Sequence, residues 1–230
     1  PADLRDGTIR DRPPFDRPPH AREVPLAMVD GLIALANVDY KAVGLEGFGR
    51  PDNFLARQVD RWESQIKSYK QLYEHEWRDL PGYALLRDWL RANIPGDFQP
   101  GIIHGDVGTP NALFAFDTPC RLTALIDWEL STIADPLLDL AWFCNGIRDD
   151  RFPGHVPEKA LYNVMNWPSR QELMAHYAAG TGRSMASFDY YLLLAMFKGG
   201  CILEYKVAQA AKGILSAETG HFFDRLVRGN

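Results

Sequence analysis

The chain has 230 residues, 46% of them hydrophobic and 24% charged, with a formal net charge of -5. That size and balance suit one soluble globular unit with a real core, and the acidic excess argues against a general nucleic-acid or anionic-membrane surface, which would need clustered Lys and Arg. Three cysteines, Cys120, Cys144 and Cys201, are odd in number and far apart, so they suggest neither a disulfide framework nor a zinc site and fit a reducing cytoplasm.

The first 22 residues are rich in Asp, Arg and Pro, and Pro13-Pro14 and Pro18-Pro19 break any helix, which leaves a solvated tail or a strap to another lobe. Val24, Met28, Ile33 and Leu35 then predict a helix to about Val38. A longer helix starts near Asp52, a good N-cap, and carries Leu55, Val59, Trp62, Ile66, Tyr69 and Tyr73 at steps of four and three, the mark of a core-facing stripe. Arg57, Gln58 and Arg61 lie off that stripe, either as a solvated face or as a contact for an acidic substrate group. Pro81 to Ile94 reads as another helix, with Leu85, Leu86, Trp89 and Leu90 inward, and Pro95-Gly96 ends it.

Residues 101–141 hold the chemistry. Gly101–Ile103, Ala112–Phe116 and Leu122–Ile126 are short, β-prone runs bounded by Gly, Pro, Asp or Thr and read as three strands. Between the first two, His104-Gly105-Asp106-Val107-Gly108-Thr109-Pro110 has two glycines and a proline, which favour a tight, fixed loop over a helix. Asp106 sits on that loop, Asn111 at its exit and Asp127 after the third strand. A hairpin through Asp117-Thr118-Pro119 would bring Asp127 beside Asn111, so that one acid faces a substrate while an amide and a second acid face a metal.

Phosphoryl transfer needs such a set, because its transition state demands positioning and charge neutralisation rather than covalent chemistry. Mg²⁺ prefers hard oxygen ligands, with one or two from the protein and the rest from phosphates and water. Asp106 could accept the proton of an attacking hydroxyl.

Further on, Asp135-Pro136 is a helix start, with an acid at N-cap and a proline at N1. Asp139 shares a face of that helix with Trp142 and Phe143. A buried acid must be hydrogen-bonded, and bracing the Asp106 loop would satisfy it. Arg148–Pro157 reads as a polar loop, and Ser169-Arg170-Gln171-Glu172 as a capping box opening a helix that Gly180 or Gly182 closes. An apolar helix from about Phe188 to Ala211 follows, too interrupted by Lys198 and Gly199-Gly200 to span a bilayer. A terminal helix through Phe222 and Leu226 ends the chain.

H-G-D-x-x-x-x-N, I-D-W-E and D-P-x-x-D-L-A together resemble the aminoglycoside phosphotransferase-like (choline kinase-like) family of the protein-kinase-like superfamily, whose catalytic loop has the same Asp-to-Asn spacing. The segments G-L-E-G-F-G-R-P-D and R-Q-V-D-R-W resemble the branch of acyl-CoA dehydrogenase-associated phosphotransferases. The resemblance implies an α+β, mostly α fold: a protein-kinase-like C-terminal lobe with a small β-sheet carrying the catalytic loop. It further implies ATP- and Mg²⁺-dependent transfer of the γ-phosphoryl group to a hydroxyl of a small molecule, with no nucleic-acid or membrane partner.

Carried over by residue, Asp106 is the catalytic base, Asn111 and Asp127 are Mg²⁺ ligands, Leu113 and Ile126 pack on the adenine, and His104 and Asp139 support the loop. Glu129 reads as a substrate or second-metal contact or as a solvated turn residue, and Trp128 as packing. No Gly-rich loop or V-A-I-K-like strand Lys precedes the motifs. The chain therefore reads as a C-terminal lobe, with residues 1–22 an extended segment leading from an N-lobe and 23–230 the lobe itself. Two other readings are a catalytically inactive, kinase-derived binding module and a metal-dependent phosphoesterase. The latter needs further His ligands, and His20, His75, His155, His176 and His221 lack ligand-like spacing.

Overall fold

The computed structural model describes residues 13–73, 80, 82–115, 117–151 and 166–228, which divide into two units, one from residues 1–51 and 97–188 and one from 52–96 and 189–230. In the first unit, α1 (Glu23–Ala36) buries Val24, Ala27, Met28, Val29 and Leu32. It packs against β3 (Arg121–Leu125) on one side and α5 (Arg170–Thr181) on the other. Gly31 permits the approach to β3, since a Cβ there would lie 2.1 Å from Leu122 Cδ2.

The single small sheet expected from three strands is two antiparallel ribbons. β2 (Ala112–Ala115) pairs with β3, and β1 (Gly101–Ile103) pairs with β4 (Thr132–Ala134). The three residues of β4 are too few to show a period in the sequence. In β2, Ala112 and Phe114 are buried while Leu113 and Ala115 are half-buried, the alternation of a strand with one face on the core.

α4 (Leu137–Cys144) follows β4. α5 opens on the expected capping box, in which Ser169 accepts from the Glu172 N–H and Glu172 from the Ser169 N–H, and it closes at Gly182 (φ 69°) rather than Gly180. The start of the chain is not uniformly solvated, because the Phe15 ring is 1% exposed. Residues 1–12, Pro81, Phe116 and the 152–157 part of the expected polar loop lie outside the described residues.

A buried ion pair ties α5 to the chain after α4. Asp149 Oδ2 accepts from Arg170 Nη1 at 2.7 Å and from Arg151 Nη2 at 2.8 Å, and Gln171 Nε2 donates to Oδ1. Burial on its own would push the Asp149 carboxyl up, but hydrogen bonds from the Arg151 side chain and backbone and from Gln171, with the Arg170 charge, hold it well below the usual carboxylate range. Arg170→Met should cost about 3 kcal/mol, the low end for breaking a buried pair because Arg151 remains. A depressed carboxyl stabilises the fold above its unfolded value and ceases to do so as pH falls. The gap between wild type and variant in urea unfolding is therefore full at neutral pH and closes below about pH 4.

In the second unit, α2 (Phe54–Tyr73) buries Leu55, Val59, Trp62, Ile66 and Tyr69 as its stripe implies, with Tyr73 half-buried. The Tyr69 hydroxyl donates to the Cys201 carbonyl of α6 (Phe188–Ala211) at 3.3 Å. α7 (Ala217–Arg228) completes this unit. α3 (Tyr83–Ala92) corrects one expectation: Leu90 is buried and Leu86 half-buried, but Leu85 is 77% and Trp89 38% exposed. Tyr83, stacked on Phe197 with centroids 5.3 Å apart, turns the inward face to positions 83, 86 and 90. At 100° per residue, Trp89 is left on the flank of that face and Leu85 on its far side. Among the described residues no helix is long and apolar enough to cross a membrane.

Candidate active site

β1 delivers the chain into the His104–Pro110 loop. Gly105 makes that entry possible: its φ is +86°, and a Cβ there would lie 2.4 Å from the Leu130 carbonyl oxygen. The obstacle is backbone and cannot swing aside. Gly105→Ala is therefore expected to cost roughly 1–3 kcal/mol from the left-handed backbone alone, with displacement of the loop added, read as a fall in thermal stability.

Asp139, on α4 and 2% exposed, holds the same two residues by their backbone. Its Oδ2 accepts the His104 N–H at 2.6 Å and its Oδ1 accepts the Gly105 N–H at 2.9 Å. The His104 ring, fully buried, has its Nε2 2.8 Å from the Ile126 carbonyl and its Nδ1 3.3 Å from the Asp106 N. A carbonyl only accepts and an N–H only donates, so the ring is the neutral tautomer with its proton on Nε2. One imidazole thereby spans the backbone of Asp106 and the residue before Asp127. Trp128 lies against that ring at 4.7 Å between centroids and donates its Nε1–H to the Leu125 carbonyl, yet 40% of it is exposed.

Asn111 ends a single 3₁₀ turn, Thr109–Asn111, at the loop's exit. Its Nδ2 donates to the Asp106 carbonyl at 2.8 Å and to Asp106 Oδ2 at 3.2 Å. Both acceptors demand the NH₂ end of the amide, so Oδ1 is directed to the opposite side. The Ile126 N–H donates to the Asn111 carbonyl at 2.9 Å, which sets Asp127 one residue beyond the β2–β3 ladder. Asp127 is exposed and left-handed (φ 67°, ψ 60°), a conformation that Asp tolerates better than most residues. The amide oxygen of Asn111, just before β2, and the carboxylate of Asp127, just past β3, are hard-oxygen donors of the kind that suits Mg²⁺ completed by phosphate and water. Among the described residues no group of three or more His, Cys, Asp or Glu side chains is placed to hold a metal, which is what a dinuclear phosphoesterase would require.

Leu113 on β2 and Ile126 just past β3 are half-buried. Glu129 is exposed in the 3₁₀ turn Trp128–Leu130. The structure thus gathers His104, Asp106, Asn111, Ile126, Asp127, Glu129 and Asp139 within the first unit. Arg57 and Arg61 belong to the second, where Arg57 Nη1 donates to the Asp52 carbonyl and the Arg61 guanidinium lies 5.2 Å from the Trp62 ring centroid. Sequence reasoning missed Leu130, whose carbonyl fits against Gly105, and Arg183, which pairs with Asp135 at 3.1 Å. The glycine between His104 and Asp106 was the available signal for the first. No local pattern marks the second.

The family model described as "Phosphotransferase enzyme family" matches residues 3–173. Acyl-CoA dehydrogenase family member 11 of Pongo abelii is 32% identical over 232 residues, an alignment covering 98% of this chain and 28% of that protein. The chain thus spans little more than a quarter of the length of that relative. A Ralstonia eutropha protein provisionally named an aminoglycoside phosphotransferase superposes with a TM-score of 0.72 at 28% identity, over 92% of this chain and 66% of that one. Choline kinase from Streptococcus pneumoniae, at 19% identity and a TM-score of 0.51 over 90% of this chain and 64% of its own, shares the fold. With a mostly helical body, small antiparallel ribbons and these matches, the chain has the architecture of a kinase-like C-terminal lobe and belongs to the phosphotransferase enzyme family.

Proposed function

We propose that this chain takes part in moving the γ-phosphoryl group of ATP, with Mg²⁺, to a hydroxyl of a small molecule, with Asp106 as general base. The observation that carries the reading is the orientation of Asn111: one amide faces Asp106 through its nitrogen and leaves its oxygen for a cation. Asp106, half-buried and oriented by that amide, receives the acceptor hydroxyl and takes its proton. Asn111 Oδ1 and Asp127 hold Mg²⁺, which when bound neutralises phosphate charge. Asp139 and His104 fix the loop so that little reorganisation is needed during transfer.

Leu113 and Ile126 supply an apolar contact for adenine, and Glu129, Arg57 and Arg61 are candidate substrate contacts. Residues 23–230 act as the C-terminal lobe and residues 1–22 as the segment leading into it. Three buried, unpaired cysteines fit a reducing, cytoplasmic setting.

The test uses full-length protein, ATP and a panel of amino alcohols, sugars, hydroxyacyl compounds and aminoglycosides, with Mg²⁺ or with EDTA. The expected result is ADP release that needs Mg²⁺ and rises with one acceptor class. Absence of both Mg²⁺-ATP binding and turnover would overturn the reading and leave a kinase-derived binding module.

A further inference from the structure

The chain returning from β3 is held on both sides of Asp127. The Leu125 carbonyl accepts the Trp128 Nε1–H at 2.9 Å, and the Ile126 carbonyl lies 2.8 Å from His104 Nε2. The Ile126 N–H donates to the Asn111 carbonyl at 2.9 Å, while the Trp128 carbonyl accepts the Ser131 N–H at 3.0 Å and the Ser131 hydroxyl at 2.6 Å. The Trp128 and His104 rings pack together, with centroids 4.7 Å apart. Two packed rings thus hold the two consecutive carbonyls that precede Asp127.

Trp128 reads along the sequence as packing, yet 40% of it is exposed, so filling the core is not what its indole chiefly does. Its side chain reaches back three residues and closes a ring of chain around Ile126 and Asp127. Asp127 is exposed and left-handed (φ 67°, ψ 60°), a conformation that persists in a residue other than Gly only where the surroundings over-determine it. A Phe could also lie against His104, but it would donate nothing. Trp alone joins a broad apolar face to one rim N–H.

We propose that Trp128 is a positioning residue for Asp127: its Nε1–H bond to the Leu125 carbonyl, backed by the His104 ring, keeps Asp127 in the left-handed conformation in which its carboxylate is offered to the cation. The inference rests on the Mg²⁺ role proposed for Asp127.

The test is Trp128→Phe in the full chain, which keeps a ring against His104 and removes the donor. Amide hydrogen exchange at Ile126 should quicken about three- to tenfold, the worth of one hydrogen bond, while the Leu173 amide, bonded to the Ser169 carbonyl at the start of α5, keeps its rate. In calorimetry with ATP, the Mg²⁺ concentration that half-saturates nucleotide binding should rise by a similar factor, because the competent form of Asp127 is populated less often. Further Mg²⁺ should restore full binding. A tryptophan that only packs would lower Tm and leave that concentration where it was.

Unchanged exchange at Ile126 would overturn the proposal, and so would equal quickening at Leu173, which would make the effect global. Quickened exchange at Ile126 with wild-type Mg²⁺ dependence would mean that Trp128 holds the turn without placing the ligand, which overturns it too. If the wild type itself shows no Mg²⁺-dependent nucleotide binding, the metal reading of Asp127 falls and takes the proposal with it. That failure is seen in the wild type alone and is therefore distinguishable from the others.

Discussion

Asp106→Asn is expected to lower phosphoryl transfer by about 10²–10⁴-fold, the usual contribution of a positioned general base, while Mg²⁺-ATP binding stays as in the wild type. The substitution is informative because it spares the local scaffold. Asn111 Nδ2 donates to the Asp106 carbonyl as well as to the side chain, and an introduced Asn can still present its amide oxygen to that donor. The loop is also held by Asp139, which bonds the backbone N–H groups of His104 and Gly105. A loss of turnover without a loss of nucleotide affinity, measured by steady-state kinetics beside calorimetry, therefore reports proton transfer and orientation. Wild-type turnover in the variant would remove Asp106 from the mechanism.

Asp127→Asn should have the complementary effect, with Mg²⁺ dependence and nucleotide binding lost together. A carboxylate facing a divalent cation is worth several kcal/mol, so the affinity for Mg²⁺-ATP should fall by more than about 100-fold. Asn is preferred to Ala because the backbone at this position is left-handed (φ 67°), which Asn accepts and Ala resists by about 1–2 kcal/mol. With Ala, a change in the turn would mix with the change in charge. The Ile126 N–H to Asn111 carbonyl bond lies in the backbone and survives either change, so β2 and β3 should keep their register. If Asp127→Asn binds Mg²⁺-ATP as the wild type does, Asp127 is not the ligand.

Much of this was legible along the chain. The four-and-three spacing of Leu55 to Tyr69 foretold the buried face of α2, and Ser169 with Glu172 foretold a capping box that the structure contains. Where the sequence erred, a neighbour had decided the matter. Four apolar side chains on α3 were expected inward, but a helix has room for only part of them on one face. The stacking of Tyr83 on Phe197, over a hundred positions away, selected which.

The sequence by itself determined the order of elements, the Gly-containing loop that carries Asp106, the five-residue step to Asn111 and the hairpin that returns Asp127 to its side. All of these follow from backbone preference and from spacings of a few residues, and such information is local. That Asp139 would brace the Asp106 loop was also expected, but only the tertiary structure decided that it would do so through two amides 34 and 35 positions earlier, that His104 would reach the Ile126 carbonyl 22 positions later, and that Asp149 would find Arg170. No local spacing names the individual atoms that pair. A buried carboxylate or imidazole takes whichever donor or acceptor the packing brings within about 3 Å, because leaving it unpaired costs more than most single contacts contribute.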